Sequence, residues 1–185
     1  NMKIAIAQIN PILGNLSANV LKINKVYGEV KNKSDLVIFP EMVMTGYPPM
    51  DLLLESNFIS QVEKNLNIIA KRIGNTTAII GTVRKVNGDL KNCAAILKNG
   101  KIIDYRDKTL LPTYDVFDED RYFTPSLTTS PIKLKLGNIS VKVGLHICED
   151  LWNQNGEIDV ISSLVDQGAE IMINLSASPY SVNRI

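Results

Sequence analysis

The 185-residue sequence has one histidine, one tryptophan and two cysteines, and its charges nearly cancel, with 20 Lys and Arg against 19 Asp and Glu. Each scarcity excludes something. Two cysteines cannot make a disulfide framework, and they suit a reducing cytosol. One histidine and no cysteine cluster leave too few ligands for a zinc site, so no metal is expected. A net charge of +1 gives no electrostatic reason to bind nucleic acid or an anionic membrane. No apolar run approaches the roughly 20 residues of a membrane-spanning helix. Met2–Gln8 lacks the length and basic flank of a secretory signal. The expectation is a cytoplasmic globular protein. At 45% hydrophobic and 21% charged it has the apolar content for one real core, or part of a larger domain.

What is present alternates. Lys3–Ile9 is short, apolar and rich in β-branched residues, and reads as a buried strand. Asn15 or Ser17 caps a helix running to about Lys31, with Val20, Ile23, Val26, Tyr27 and Val30 at helical spacing. Leu36–Phe39 is a second buried strand, ended by Pro40. Asn57–Ile73 carries Val62, Leu66, Ile69 and Ile73 on one helical stripe. Thr77–Val86, Asn92–Lys98 and Lys101–Arg106 then read as strands joined through Asn87-Gly88 and Asn99-Gly100, a strong hairpin signal. A long polar loop, Asp107–Pro125, follows. Ile132–Leu136 and Ile139–Ile147 form another hairpin across Gly137-Asn138. Glu157–Gln167 reads as a helix and Glu170–Leu175 as a strand. This order suggests a mixed α/β (α+β) sheet covered by helices, or two such layers packed together.

Several strands end on a reactive residue: Glu41, Lys108, Cys148, and Ser176 with Ser178. Ligands in open α/β sheets bind beyond the carboxyl ends of strands, so these ends point toward one pocket edge. Cys148 sits at a strand-to-turn junction, before Glu149 and Asp150, where a nucleophile is exposed and backbone N–H groups are close. Cys93, inside an apolar strand, reads as a buried, inert thiol. His146 shares a strand face with Cys148, but side chains two apart stand about 6–7 Å from each other, long for a catalytic hydrogen bond. A thiol needs a base or a nearby cation. Glu41 and Lys108 are the candidates.

Three segments carry a family resemblance. Phe39–Leu53 (FPEMVMTGYPPMDLL), Arg106–Phe123 (RDKTLLPTYDVFDEDRYF) and Gly144–Trp152 (GLHICEDLW) resemble, in order, the signature regions of the nitrilase, or carbon–nitrogen hydrolase, superfamily. The likeness runs from about Lys3 to Tyr180. It is strongest toward the branch formed by the N-terminal glutamine amidotransferase domains of glutamine-dependent NAD synthetases. The resemblance implies a four-layer α-β-β-α sandwich. It implies a triad of Glu41 as base, Lys108 as cation and Cys148 as nucleophile, with Glu119 beside them and the Glu149 backbone N–H at the oxyanion. His146 has no required role in that pattern.

The family domain is longer than residues 1–185, so the expectation is a domain truncated at its C-terminus, with the synthetase domain absent. No Gly-rich phosphate loop occurs here. ATP and Mg would belong to that other domain, and the glutaminase step needs no cofactor. The implied substrate is L-glutamine, hydrolysed through a Cys thioester, with ammonia passed to the synthetase domain as the partner. A stand-alone amidase acting on another small amide is the alternative. Tyr47, Tyr114, Trp152, Ser176 and Ser178 are candidate pocket residues, and Arg184 a candidate partner for a carboxylate. Two carboxylates near one lysine would favour its charged form and raise one carboxyl's pKa. A homo-oligomer is expected.

Overall fold

The computed structural model describes residues 1–114, 117–152 and 158–178. Their order is β1 (Ile4–Ile6), α1 (Leu16–Val30), β2 (Leu36–Ile38), α2 (Ser56–Ala70), β3 (Thr77–Val86), β4 (Asp89–Lys98), β5 (Lys101–Asp107), β6 (Ile132–Leu136), β7 (Ile139–Ile147), α3 (Val160–Asp166) and β8 (Ile171–Leu175). The first five strands form one sheet in the order β1-β2-β3-β4-β5, and the last three a second, β6-β7-β8. β1, β2 and β3 run parallel, while β4 opposes both β3 and β5. In the second sheet β6 opposes β7, and β7 and β8 are parallel.

The local chemistry explains the turns. Asn15 caps α1 by accepting the Ala18 N–H at 3.1 Å. Asn87 and Gly88 both adopt positive φ, as do Asn99 and Gly100. That is the requirement of the tight turns that match strand twist.

The central strands β2, β3 and β4 of the first sheet are mostly buried on both faces, and strand alternation sorts their side chains. Ala78, Ile80, Ala95 and Leu97 face α1 and α2, where Ile23, Tyr27, Val62, Leu66 and Ile69 complete one core. Their neighbours Ile79, Ala94 and Ile96 point the other way, onto Leu134, Val141, Val143, Leu145 and Ile147 of the second sheet. Each such buried aliphatic side chain contributes about 1.5–3 kcal/mol relative to exposure. α3 buries Val160 and Leu164 against the outside of the second sheet. The layers are therefore helices, sheet, sheet, helix, the expected α-β-β-α sandwich.

The expected buried strand Lys3–Ile9 is only Ile4–Ile6, and as the edge strand of the first sheet it leaves Ile6 79% exposed. Other element ends shift by one to three residues, and three further differences bear on the fold. β4 begins at Asp89 rather than Asn92, because pairing with β3 continues to the turn. α3 begins at Val160, capped by the Asp159 side chain; Glu157 lies outside the described residues. The segment after Asp107 is no solvated loop: Lys108, Thr109 and Glu119 are buried in it, and Glu119–Arg121 forms a short 3-10 turn. Among the described residues no helix is long and apolar enough to cross a membrane.

Candidate active site

β2 and β5 point the same way in the first sheet, and β7 and β8 run together in the second. Glu41, Lys108, Cys148 and Ser176–Ser178 are the residues that follow these four carboxyl ends. Glu41 is delivered by a turn after Pro40 that packs against β3. An ideal Cβ on Gly81 would lie 2.1 Å from the Pro40 carbonyl oxygen and 2.6 Å from Glu41 Cα. Only glycine leaves room for this approach.

Lys108 is 1% exposed, with its ammonium held between two carboxylates. Nζ donates to Glu41 Oε1 at 3.0 Å and to Glu119 Oε1 and Oε2 at 2.9 and 3.0 Å. Burial works against its charge, but Glu41 and Glu119 outweigh that and raise its pKa above the ordinary lysine value. Burial also raises the Glu119 carboxyl, against the pull of Lys108. The Tyr47 hydroxyl donates to Glu119 Oε1 at 2.9 Å. Burial, with both glutamates nearby, holds that phenol well above its usual range. Asn92, on β4, donates from Nδ2 to Glu41 Oε1 at 2.8 Å and to Glu119 Oε2 at 3.3 Å. The Ala177 N–H donates to Glu41 Oε2 at 3.1 Å.

Cys148 leaves the strand. β7 ends at Ile147, and Cys148 takes φ +44 at the start of a 3-10 turn over Cys148–Leu151. The left-handed backbone at a non-glycine residue marks a sharp, strained junction. Its thiol lies 4.0 Å from Ser178 Oγ. Burial pushes the thiol up to about 11, helped by the Glu41 charge and opposed by Lys108. Burial and the Glu41 charge both favour the thiol over the thiolate.

Asp150 fixes this turn to the chain after Lys108. Its Oδ1 accepts the N–H groups of Thr109 and Leu110 at 3.0 and 2.7 Å, and its Oδ2 that of Ile147 at 3.0 Å. Burial raises its carboxyl to about 6 despite these three donors.

A cavity of about 680 Å³ adjoins the cluster, lined among others by Gln8, Glu41, Tyr47, Phe117, Ser176 and Ser178. That volume suits a small ligand. Tyr114 is 42% exposed, and its hydroxyl donates to Glu149 Oε2 at 2.8 Å. Trp152 is 55% exposed and does not line this cavity. The Ser176 hydroxyl turns back to donate to Asn174 Oδ1. Arg184 lies outside the described residues.

His146 and Cys148 do not share a face, because the turn at Cys148 breaks the strand alternation. The His146 ring meets the Gly144 carbonyl through Nδ1 at 3.1 Å, and its Nε2 is buried without a partner among the described residues. Burial lowers its pKa.

Asn92 and Asp150 were not foreseen as site residues. A polar residue opening the apolar run Asn92–Leu97 was the available signal for the first. For the second, its place in the turn just after Cys148 was the available signal.

Comparison with known proteins gives the family. The carbon-nitrogen hydrolase family profile matches residues 3–184. The chain is 39% identical to the glutamine-dependent NAD(+) synthetase of Synechocystis sp. over 98% of its own length and 35% of that protein. It is 38% identical to the Thermotoga maritima glutamine-dependent NAD(+) synthetase over 99% of its length and 31% of that protein. The solved structure of the Acinetobacter baumannii glutamine-dependent NAD+ synthetase with ADP superposes with a TM-score of 0.88 at 31% identity, over 98% of this chain and 33% of that one. The chain thus spans about a third of the length of these relatives. With these likenesses and the layered sandwich that carries the cluster, the chain belongs to the carbon–nitrogen hydrolase family.

Proposed function

We propose that residues 1–185 belong to the glutaminase part of a glutamine-dependent NAD synthetase, and that Glu41, Lys108 and Cys148 hydrolyse the side-chain amide of L-glutamine. The observation that carries the chemistry is the Lys108 ammonium, buried between Glu41 and Glu119 at the strand ends that also bring Cys148. The similarity to glutamine-dependent NAD synthetases supports the substrate.

In this reading Glu41 takes the Cys148 proton as the sulfur attacks the amide carbon. A thiol raised to about 11 needs that help at neutral pH. The tetrahedral oxyanion is stabilised by the Lys108 ammonium and the Glu149 backbone N–H. Glu41 returns the proton to the leaving nitrogen, and ammonia departs. Glu41 then activates the water that cleaves the thioester, releasing glutamate. Glu119 keeps Lys108 charged and in place, and Tyr47 keeps Glu119 in place. Ser176 and Ser178 line the cavity in which the substrate is proposed to sit, with the Ser176 hydroxyl turned back to Asn174. Tyr114 and Trp152 lie at the more exposed margin.

The synthetase part, with its ATP and Mg, is proposed to lie outside this chain and to receive the ammonia for NAD synthesis from deamido-NAD. A homo-oligomer is part of the same proposal. The deciding experiment is ammonia release from L-glutamine by the natural full-length protein and its Cys148→Ala variant. Release that vanishes with the variant supports the reading. Release from other small amides but not from glutamine would replace it with a stand-alone amidase.

A further inference from the structure

Asn92 lies near the start of β4, is 1% exposed, and turns its side chain into the carboxylate cluster instead of either apolar core. Its backbone carbonyl accepts the Lys108 N–H at 2.9 Å, so the same residue also fixes the chain that carries the ammonium. Its Oδ1 is buried with no partner among the described residues. An unmet acceptor is unfavourable. What this side chain contributes is therefore its two N–H bonds, one to each carboxylate.

Those bonds distinguish the two oxygens of Glu41. Oε1 accepts from Asn92 at 2.8 Å and from Lys108 at 3.0 Å. A carboxylate oxygen offers about two lone pairs, so Oε1 is filled. Oε2 accepts only the Ala177 N–H at 3.1 Å among the described residues, which leaves one lone pair open. Ala177 is the neighbour of Ser178, whose hydroxyl is the group beside the Cys148 sulfur.

We propose that Asn92 is a positioning residue for the base: by occupying Oε1 it fixes the rotation of the Glu41 carboxylate, so that Oε2 is the oxygen that takes the Cys148 proton. The inference rests on Glu41 acting as the base, as proposed above, and assigns the atom. The S–H bond breaks, an O–H bond forms at Oε2, and the electron pair stays on sulfur. Later that O–H breaks and its proton forms the new N–H of the leaving ammonia.

The test is kcat and KM for L-glutamine hydrolysis, in the natural full-length protein, for the wild type, Asn92→Asp, Asn92→Leu and Cys148→Ala. Asn92→Asp keeps the shape and adds a third carboxyl. Asn92→Leu removes the donor without adding charge. Both are expected to hold KM within about threefold and lose at least about tenfold in kcat, since small misplacements of a catalytic group are costly. If one variant does not fold, the other decides by the same readout. A folded variant with wild-type kcat overturns the proposal. So does failure of both variants to fold, which would make Asn92 a purely structural residue. A wild type no more active on glutamine than Cys148→Ala would instead overturn the glutaminase reading itself.

Discussion

The backbone N–H of Ala177 donates to Oε2 of Glu41 across 3.1 Å, joining residues 136 positions apart. Glu41 follows β2 in the first sheet and Ala177 follows β8 in the second. The bond therefore spans the sandwich at its functional edge. The site depends on how the two sheets stack, and the first prediction follows from the packing that sets one side of it.

Gly81→Ala should displace the Glu41 turn. The added Cβ has backbone on all near sides and no flexible side chain to push away. We expect a stability loss of about 1–3 kcal/mol, typical of overpacking. Ammonia release should fall by more than about tenfold, because Glu41, the proposed base, shifts relative to the Cys148 sulfur. Thermal unfolding and a kcat measurement check both. A wild-type kcat would show that Glu41 tolerates the shift.

Cys148 carries backbone strain at its left-handed turn. At φ +44 an L side chain costs about 1–2 kcal/mol relative to glycine. Cys148→Ala and Cys148→Gly both remove the thiol and should both be inactive. Cys148→Gly should nevertheless be the more stable by about 1 kcal/mol. Equal unfolding midpoints in denaturant, or the reverse order, would contradict the strained turn.

The thiol should be slow to alkylate at neutral pH. Only the thiolate reacts, and a thiol raised to about 11 exposes about tenfold more of it with each pH unit up to that value. The rate of iodoacetamide modification should climb from pH 7 to 10 and bend near 11. In Lys108→Met the bend should move higher, since Lys108 is the charge that holds the thiol down. A plateau already reached at pH 8 would argue for a preformed thiolate.

His146 is expected to matter for stability at mildly acid pH and not for turnover. Its folded pKa lies below the usual 6.5, so the unfolded chain takes the proton first. Its contribution is full above 6.5 and is lost as pH falls from there through the lowered folded value. His146→Leu should remove this component of the acid destabilisation and keep kcat within about threefold, because the ring meets the Gly144 carbonyl and no member of the cluster. Stability curves at pH 5 to 8 for the two proteins, with kcat at pH 7.5, would check it. A kcat loss near that of Cys148→Ala would return His146 to the mechanism.

The elements were legible where one local force dominated. The Asn-Gly turns reported themselves, because few other residues adopt positive φ twice in succession. The α2 stripe of Val62, Leu66 and Ile69 reported a helix with one buried face. The segment Asp107–Pro125 read locally as a long polar loop, and only the family resemblance marked Lys108 and Glu119, which are buried against each other in it. Distance along the chain hid Asn92, whose partners Glu41 and Glu119 are 51 and 27 positions away.

By itself the sequence determined the strands, their alternating faces and the residues placed at their carboxyl ends, since periodicity and turn chemistry act over a few neighbouring residues. Which ends meet was decided only by the tertiary structure. The meeting of Glu41, Asn92, Lys108, Glu119 and Ala177 depends on strand order, on sheet stacking and on a close approach at Gly81. So does the loss of any common face for His146 and Cys148, because a left-handed turn at one residue ended the strand that would have aligned them. Hydrogen bonds and charges act through space over a few ångströms, and the distance that governs them is set by the packed core and not by separation along the chain.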